Sequence, residues 1–170
     1  MDTSEINAQA RRVAQLLATR QKKVATAESC TGGLVAGALT AVAGISARLC
    51  GGVIVYRNET KHALLDISQQ LLADPGPVSE IVAQQMAQRV LTKIPEADVS
   101  IAITGHLGPN APADLDGVVW LAVGARKGEE SAEVWTKKLH LPPLARIERQ
   151  QMAVAGALDF LASNLEVSGR

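Results

Sequence analysis

From Ser29 to Ala47 the chain carries no charged residue, and a glycine pair stands near the start of this run, close behind a β-type segment. It is rich in Gly, Ala, Ser and Thr and is interrupted by Gly44 and Ser46, so it does not suit the ~20 apolar residues of a membrane span. It reads instead as a helix buried in a protein core. Lys22 to Ala27 suits a short strand, Gly32-Gly33 opens the helix, and Leu34 to Val42 is small and apolar enough to be its body. A short strand running straight into a buried helix implies helices packed on a sheet.

The junction itself, Ala25-Thr26-Ala27-Glu28-Ser29-Cys30-Thr31-Gly32-Gly33, gathers a possible nucleophile, two hydroxyls and two glycines. Free N–H groups at a helix start attract anions, so an oxyanion or phosphate can sit beside Ser29 and Thr31. The same residues also suit a plain helix start, with Ser29 and Thr31 as caps and Gly32 and Gly33 allowing close packing.

Only 2% of the 170 residues are aromatic while 47% are hydrophobic, so the core must be Ala, Val, Leu and Ile, and stacking platforms for single-stranded nucleic acid are scarce. Seventeen basic residues balance seventeen acidic ones, so no overall field steers the chain to nucleic acid or an anionic membrane. Cys30 and Cys50 have no CxxC spacing and the three histidines no ligand pattern, which predicts a reduced protein without a metal. Asp2, Glu5, Arg11 and Arg12 mix both signs of charge with no signal-peptide core, so a cytoplasmic location is expected.

The remaining elements are expected in order. An amphipathic helix covers roughly residues 4 to 19, with Ile6, Val13, Leu16 and Leu17 on one face. A second strand, Leu49 to Tyr56, ends in Tyr56-Arg57-Asn58-Glu59-Thr60-Lys61, dense in functional groups where sites gather in α/β sheets. That cluster also suits a simple cap at Asn58 with a solvated Lys61. Asp74-Pro75-Gly76-Pro77 is a loop, Ser79 an N-cap, and a helix follows to Pro95. Val99 to Thr104 reads as an inner strand ending at Gly105-His106-Leu107-Gly108-Pro109. Gly117 to Val123 and Ala132 to Leu139 form a hairpin joined at Lys127-Gly128-Glu129, and a helix from Leu144 to Leu161 closes the chain. Arg146 and Arg149 near its start oppose the helix dipole and invite an anion or a carboxylate. The alternation predicts one domain over residues 1–170, a three-layer α/β/α sandwich with a mixed, mainly parallel sheet and an antiparallel hairpin near the C-terminus.

Several motifs together resemble the CinA C-terminal domain family in its stand-alone form, whose members include nicotinamide mononucleotide amidases of the PncC type. They are Ala27-Glu28-Ser29-Cys30-Thr31-Gly32-Gly33, Gly51-Gly52-Val53-Ile54-Val55-Tyr56 with Asn58-Glu59 and Lys61, Pro77-Val78-Ser79, Thr104-Gly105 with Gly108-Pro109, and Gly117-Val118-Val119-Trp120. The resemblance implies a metal-free, cofactor-independent serine amidohydrolase that turns nicotinamide mononucleotide into nicotinic acid mononucleotide and ammonia. Ser29 is then the nucleophile, Lys61 its base or proton shuttle, and Tyr56 lies close by. Thr31, Gly32, Gly33, Asn58, Thr104, Gly105 and Arg146 bind substrate, Arg146 through the phosphate, and N–H groups around Cys30 to Gly33 hold the oxyanion. Cys30 is a formal alternative nucleophile, but its apolar position marks it as structural. The implied partner is a small nucleotide, with no nucleic acid or membrane, and self-association as a homodimer is expected. Full-length CinA proteins carry a further N-terminal domain, whose activity is not carried over.

The chain departs from the family in one loop. Members commonly read Gly-Ile-Ala-Gly-Pro, a glycine-rich run and Lys-Pro-Val-Gly-Thr-Val-Trp. Here Gly105-His106-Leu107-Gly108-Pro109 leads through Asn110-Ala111-Pro112-Ala113-Asp114-Leu115-Asp116 to Gly117. His106 and Leu107 are expected to narrow a pocket, and Asp114 and Asp116 to repel a phosphate. An enzyme then requires Lys61 within hydrogen-bond reach of Ser29 and an open cleft, whereas a silent nucleotide- or protein-binding relative has that contact broken or the cleft filled.

Overall fold

The computed structural model describes residues 3–112, 114–127 and 131–167. Helix α1 (Thr3–Thr19) leads into β1 (Val24–Glu28), α2 (Leu34–Thr40), a 3-10 turn at Ile45–Ala47 and β2 (Leu49–Ile54). Helices α3 (Asn58–Leu65), α4 (Gln69–Ala73) and α5 (Glu80–Lys93) come before β3 (Val99–Gly105). Strands β4 (Val118–Arg126) and β5 (Ala132–His140) and helix α6 (Arg146–Val167) complete the fold.

The five strands lie in the order β2-β1-β3-β4-β5. β1 pairs in parallel with β2 and β3, while β4 is antiparallel to both β3 and β5, so every strand except β4 runs the same way. Strand alternation divides the core in two. Ile101 and Ile103 of β3 pack with Val13 and Leu17 of α1, Leu39 of α2 and Leu158 and Leu161 of α6. Ala102, between them, faces the other way and packs with Leu65 of α3, Leu72 of α4 and Val82 and Met86 of α5. Helices therefore cover both faces of a mixed sheet. β1 is buried along its whole length, which suits the small and apolar Val24, Ala25 and Ala27 and leaves Glu28 at its end in need of internal partners.

Several local expectations change. α2 is not enclosed: Val35 and Leu39 are buried but Leu34 is 44% exposed, so the uncharged run supplies a thin outer helix rather than a central one. Helix α3 begins one residue earlier than a cap at Asn58 requires, because Arg57 occupies the cap position and its N–H donates to Thr60 Oγ1 at 3.1 Å. Ser79 does precede α5, yet its hydroxyl donates to Gly76 O at 2.8 Å instead of accepting from the helix. Helix α4 has no counterpart in the sequence reading; Ser68 caps it, accepting from the Leu71 N–H at 3.2 Å. The expected turn at Gly128-Glu129 lies outside the described residues. Among the described residues no helix is long and apolar enough to cross a membrane, and no three potential ligands are grouped for a metal.

Candidate active site

The C-terminal ends of β1, β2 and β3 meet at one edge of the sheet, where loops of an α/β fold build sites. β1 ends at Glu28, and Ser29 still pairs its N–H with Ile103 O at 3.0 Å. The chain then turns through Gly32 (φ 63°) and Gly33 (φ 99°), a left-handed path open mainly to glycine. This turn folds the start of α2 over the Glu28 carboxylate, which is 1% exposed. Glu28 Oε2 accepts from Thr31 Oγ1 at 2.7 Å and from the Gly33 and Val35 N–H groups, both at 3.0 Å; Oε1 accepts from the Ala36 N–H at 2.8 Å. The helix-start amides that the sequence offered to an external anion are thus largely occupied by an internal one. Gly32 N–H is also engaged, donating to Ser29 O at 3.1 Å. Among the described residues, the Cys30 and Thr31 N–H groups are the amides of this turn left without a protein acceptor.

β2 delivers the second half of the site. Val55 N–H donates to Glu28 O at 2.8 Å, extending the parallel pairing past the strand end, and α3 then turns Lys61 back over Val55. Lys61 is 2% exposed, which overturns its reading as a solvated surface lysine. Its Nζ lies 3.0 Å from Ser29 Oγ and 3.0 Å from the Val55 carbonyl oxygen, and among the described residues it forms no ion pair. Burial lowers its pKa to about 8. A neutral amine in this position has a lone pair available to the Ser29 hydroxyl while it donates one of its own protons to Val55 O. The neighbouring Cys30 behaves oppositely: burial pushes its thiol up to about 12, so it stays protonated and unreactive.

A cleft of about 200 Å³ opens above this pair. Ser29, Tyr56, Asn58, Lys61, Thr104, Gly105 and Arg146 all line it, and His106 and Asn110 form part of the facing wall. Thr31, Gly32 and Gly33 do not line it; they shape the turn beneath. Thr104 is buried and its hydroxyl donates to Pro77 O at 2.8 Å, tying the 74–77 loop to the end of β3. Arg146 donates to Gly108 O and, through Nη2, to the Tyr56 hydroxyl at 3.0 Å. Leu107 lines the cleft but is only 2% exposed and packs into the core, so the cleft is not filled.

Among the described residues no carboxylate lines the cleft, which corrects the expected repulsion of a phosphate. Asp114 lies off the wall, and Asp116 forms a two-point pair with Arg149, Nη1 to Oδ1 at 2.7 Å and Nη2 to Oδ2 at 2.9 Å. Lys61 and Arg146 are its lining cations. A larger concavity of about 360 Å³ beside α5 is lined by Gln85, Arg89 and Arg126 but by no lysine, cysteine or histidine. Sequence reasoning missed Glu28 and the Asp116–Arg149 pair. The signal for Glu28 was its place directly before a glycine-opened helix; for the pair, it was an arginine at a helix start that needed an acid.

The chain belongs to the CinA C-terminal domain family, which matches residues 6–165. It is 39% identical over 131 residues to the nicotinamide-nucleotide amidohydrolase PncC of Escherichia coli K12, covering 76% of this chain and 79% of that protein. To a CinA-like protein of Colwellia psychrerythraea it is 40% identical over 141 residues, covering 82% of this chain and 31% of the other. The chain thus spans about a third of the length of the CinA-like proteins it matches. Among solved structures, the competence/damage inducible protein CihA of Agrobacterium tumefaciens superposes with a TM-score of 0.88 at 35% identity, covering 95% of this chain and 96% of that one. A CinA superfamily protein of Escherichia coli superposes with a TM-score of 0.85 at 32% identity, with 98% and 94% covered.

Proposed function

We propose that this chain hydrolyses the carboxamide of nicotinamide mononucleotide, giving nicotinic acid mononucleotide and ammonia, by a Ser29/Lys61 mechanism. The observation that carries the reading is the 3.0 Å contact between Ser29 Oγ and a buried lysine amine whose pKa is lowered to about 8. A serine hydroxyl is a weak nucleophile until a neighbour takes its proton, and a lysine can do so only as the free amine. Lys61 Nζ takes the proton as Oγ bonds to the carboxamide carbon. The resulting oxyanion is assigned to the Cys30 N–H group, whose residue lines the cleft beside Ser29. Lys61 then returns the proton to the amide nitrogen, the C–N bond breaks and ammonia leaves. Water, deprotonated by Lys61, then attacks the acyl-serine carbonyl; the ester C–O bond breaks, Lys61 passes the proton to Ser29 Oγ, and the acid leaves with water as the sole co-reactant.

Arg146 is assigned to the phosphate, with Tyr56, Asn58, Thr104 and Gly105 forming the walls around the nucleotide. Thr31, Gly32 and Gly33 act through the turn they build. Kinship with a protein named for this activity supports the substrate class. The intact Ser29–Lys61 contact and the open cleft support an enzyme over a silent relative.

Ammonia release from nicotinamide mononucleotide, measured for the parent beside Ser29→Ala and Lys61→Ala, tests the reading. Release by the parent and its loss in both variants is expected; no release from folded parent protein overturns it.

A further inference from the structure

We propose that Asp116 is a positioning residue: its pair with Arg149 latches loop 105–117 onto the start of α6 and thereby sets how tightly the cleft holds substrate. The kinetic part of this proposal rests on the amidase reading; the structural part does not.

Arg149 is 4% exposed, and its guanidinium is committed in three directions. Two N–H groups hold the Asp116 carboxylate, and Nε donates to Pro142 O at 2.8 Å. A buried arginine that loses its carboxylate is left as an unpaired charge, so the pair resists opening. One turn earlier on the same helix, Arg146 donates to Gly108 O, so neighbouring arginines grip both limbs of the loop. The limbs run close together here: a Cβ on Gly108 would lie 3.0 Å from Arg149 Nη1 and 3.2 Å from Asp116 Oδ1.

The grip reaches the cleft through the backbone. Gly117, next to Asp116, donates its N–H to His106 O at 3.0 Å, and the His106 N–H donates to Val118 O at 2.9 Å. His106 lines the cleft. Asp116 also falls in the stretch that departs from the family's Lys-Pro-Val-Gly, and its charge has its partner on α6. The Arg149 guanidinium holds the Asp116 carboxyl below the usual carboxylate range, consistent with a pair that persists at neutral pH.

Hydrogen–deuterium exchange on the full chain tests the latch, comparing parent, Asp116→Ala, Asp116→Asn and Asp116→Glu. Exchange in residues 105–117 should quicken about tenfold in the Ala and Asn variants while β1–β3 stays protected, with Glu restoring much of the protection. In ammonia-release kinetics, KM should rise about fivefold or more in the same two variants with kcat within about twofold. Unchanged loop exchange overturns the proposal, as does a loss of protection spread through the sheet, which would mark the pair as general scaffolding. A KM that stays put while the loop loosens overturns the substrate-holding role. Should the parent release no ammonia, the amidase reading has failed, and loop exchange alone decides for or against the latch.

Discussion

Ser29 Oγ and Lys61 Nζ stand 3.0 Å apart although 32 positions separate them in the chain. The parallel pairing of β1 with β2 brings them together. Glu28 lies opposite Ile54, so both strands end at the same level, and Val55 N–H continues the ladder onto Glu28 O. Helix α3 then needs only its first turn to bring Lys61 back over Val55. The dyad is therefore a property of strand register, and a slip of one residue would turn Ser29 to the opposite face.

The protonation of Lys61 should govern the pH profile. With its pKa lowered to about 8 by burial, the amine is largely protonated at pH 7 and cannot accept the Ser29 proton. The rate of ammonia release at subsaturating substrate should rise through pH 8 and level above it. A profile flat between about pH 6 and pH 10 would remove Lys61 as the base.

The same burial costs stability. The unfolded chain, with an ordinary lysine pKa, binds more protons than the folded one between about pH 8 and pH 10, so stability rises with pH across that window and the penalty is complete below it. Its size at neutral pH is about 3 kcal/mol, offset by about 1 kcal/mol from the bond to Val55 O. Lys61→Met should abolish ammonia release yet raise the unfolding free energy by about 2 kcal/mol at pH 7, the gain shrinking as pH approaches 10. Urea denaturation at both pH values checks this; a variant less stable than the parent at pH 7 would show that the lysine is not held at a cost.

Glu28 should matter to both fold and activity. Its carboxylate accepts four hydrogen bonds from the start of α2, and the turn it organises carries Ser29. Glu28→Ala leaves these donors facing a void and should cost about 3 kcal/mol or more in urea denaturation, with ammonia release falling more than tenfold. Glu28→Gln, which keeps one acceptor oxygen, should fall between. An Ala variant as stable as the parent would mean that water replaces the carboxylate fully.

Much of this layout was legible in the chain. Short β-branched runs alternating with helical periods gave away the strands, and polar, chemistry-bearing residues cluster at Ser29, Lys61 and Thr104 because three strands end there. What stayed hidden depended on distant partners or on turn geometry. Whether Glu28 faces solvent or caps α2 is decided by the left-handed path at Gly32 and Gly33, which residue type alone permits but does not prescribe. Asp116 reads as a free negative charge until Arg149, 33 positions on, is seen to neutralise it. Lys61 looks like any surface lysine because nothing in its immediate neighbours reveals that α3 turns it inward. Helix α4, only five residues long, falls below the length at which periodicity can be recognised.

Cys30 adjoins Ser29 and lines the same cleft, so the choice of nucleophile can be tested directly. A thiol is the stronger nucleophile only as thiolate, and burial raises the Cys30 pKa to about 12. At pH 8 about one thiol in ten thousand is then ionised. Cys30→Ala should therefore keep ammonia release within about threefold of the parent, whereas Ser29→Ala should lose at least a thousandfold. Alkylation with iodoacetamide gives an independent reading. Cys50 is half-buried and Cys30 is buried, so mass spectrometry after labelling at pH 8 should find Cys50 modified first. Rapid labelling of Cys30 with matching loss of activity would mean that the thiol is ionised in solution, and the roles of the two neighbours would have to be exchanged.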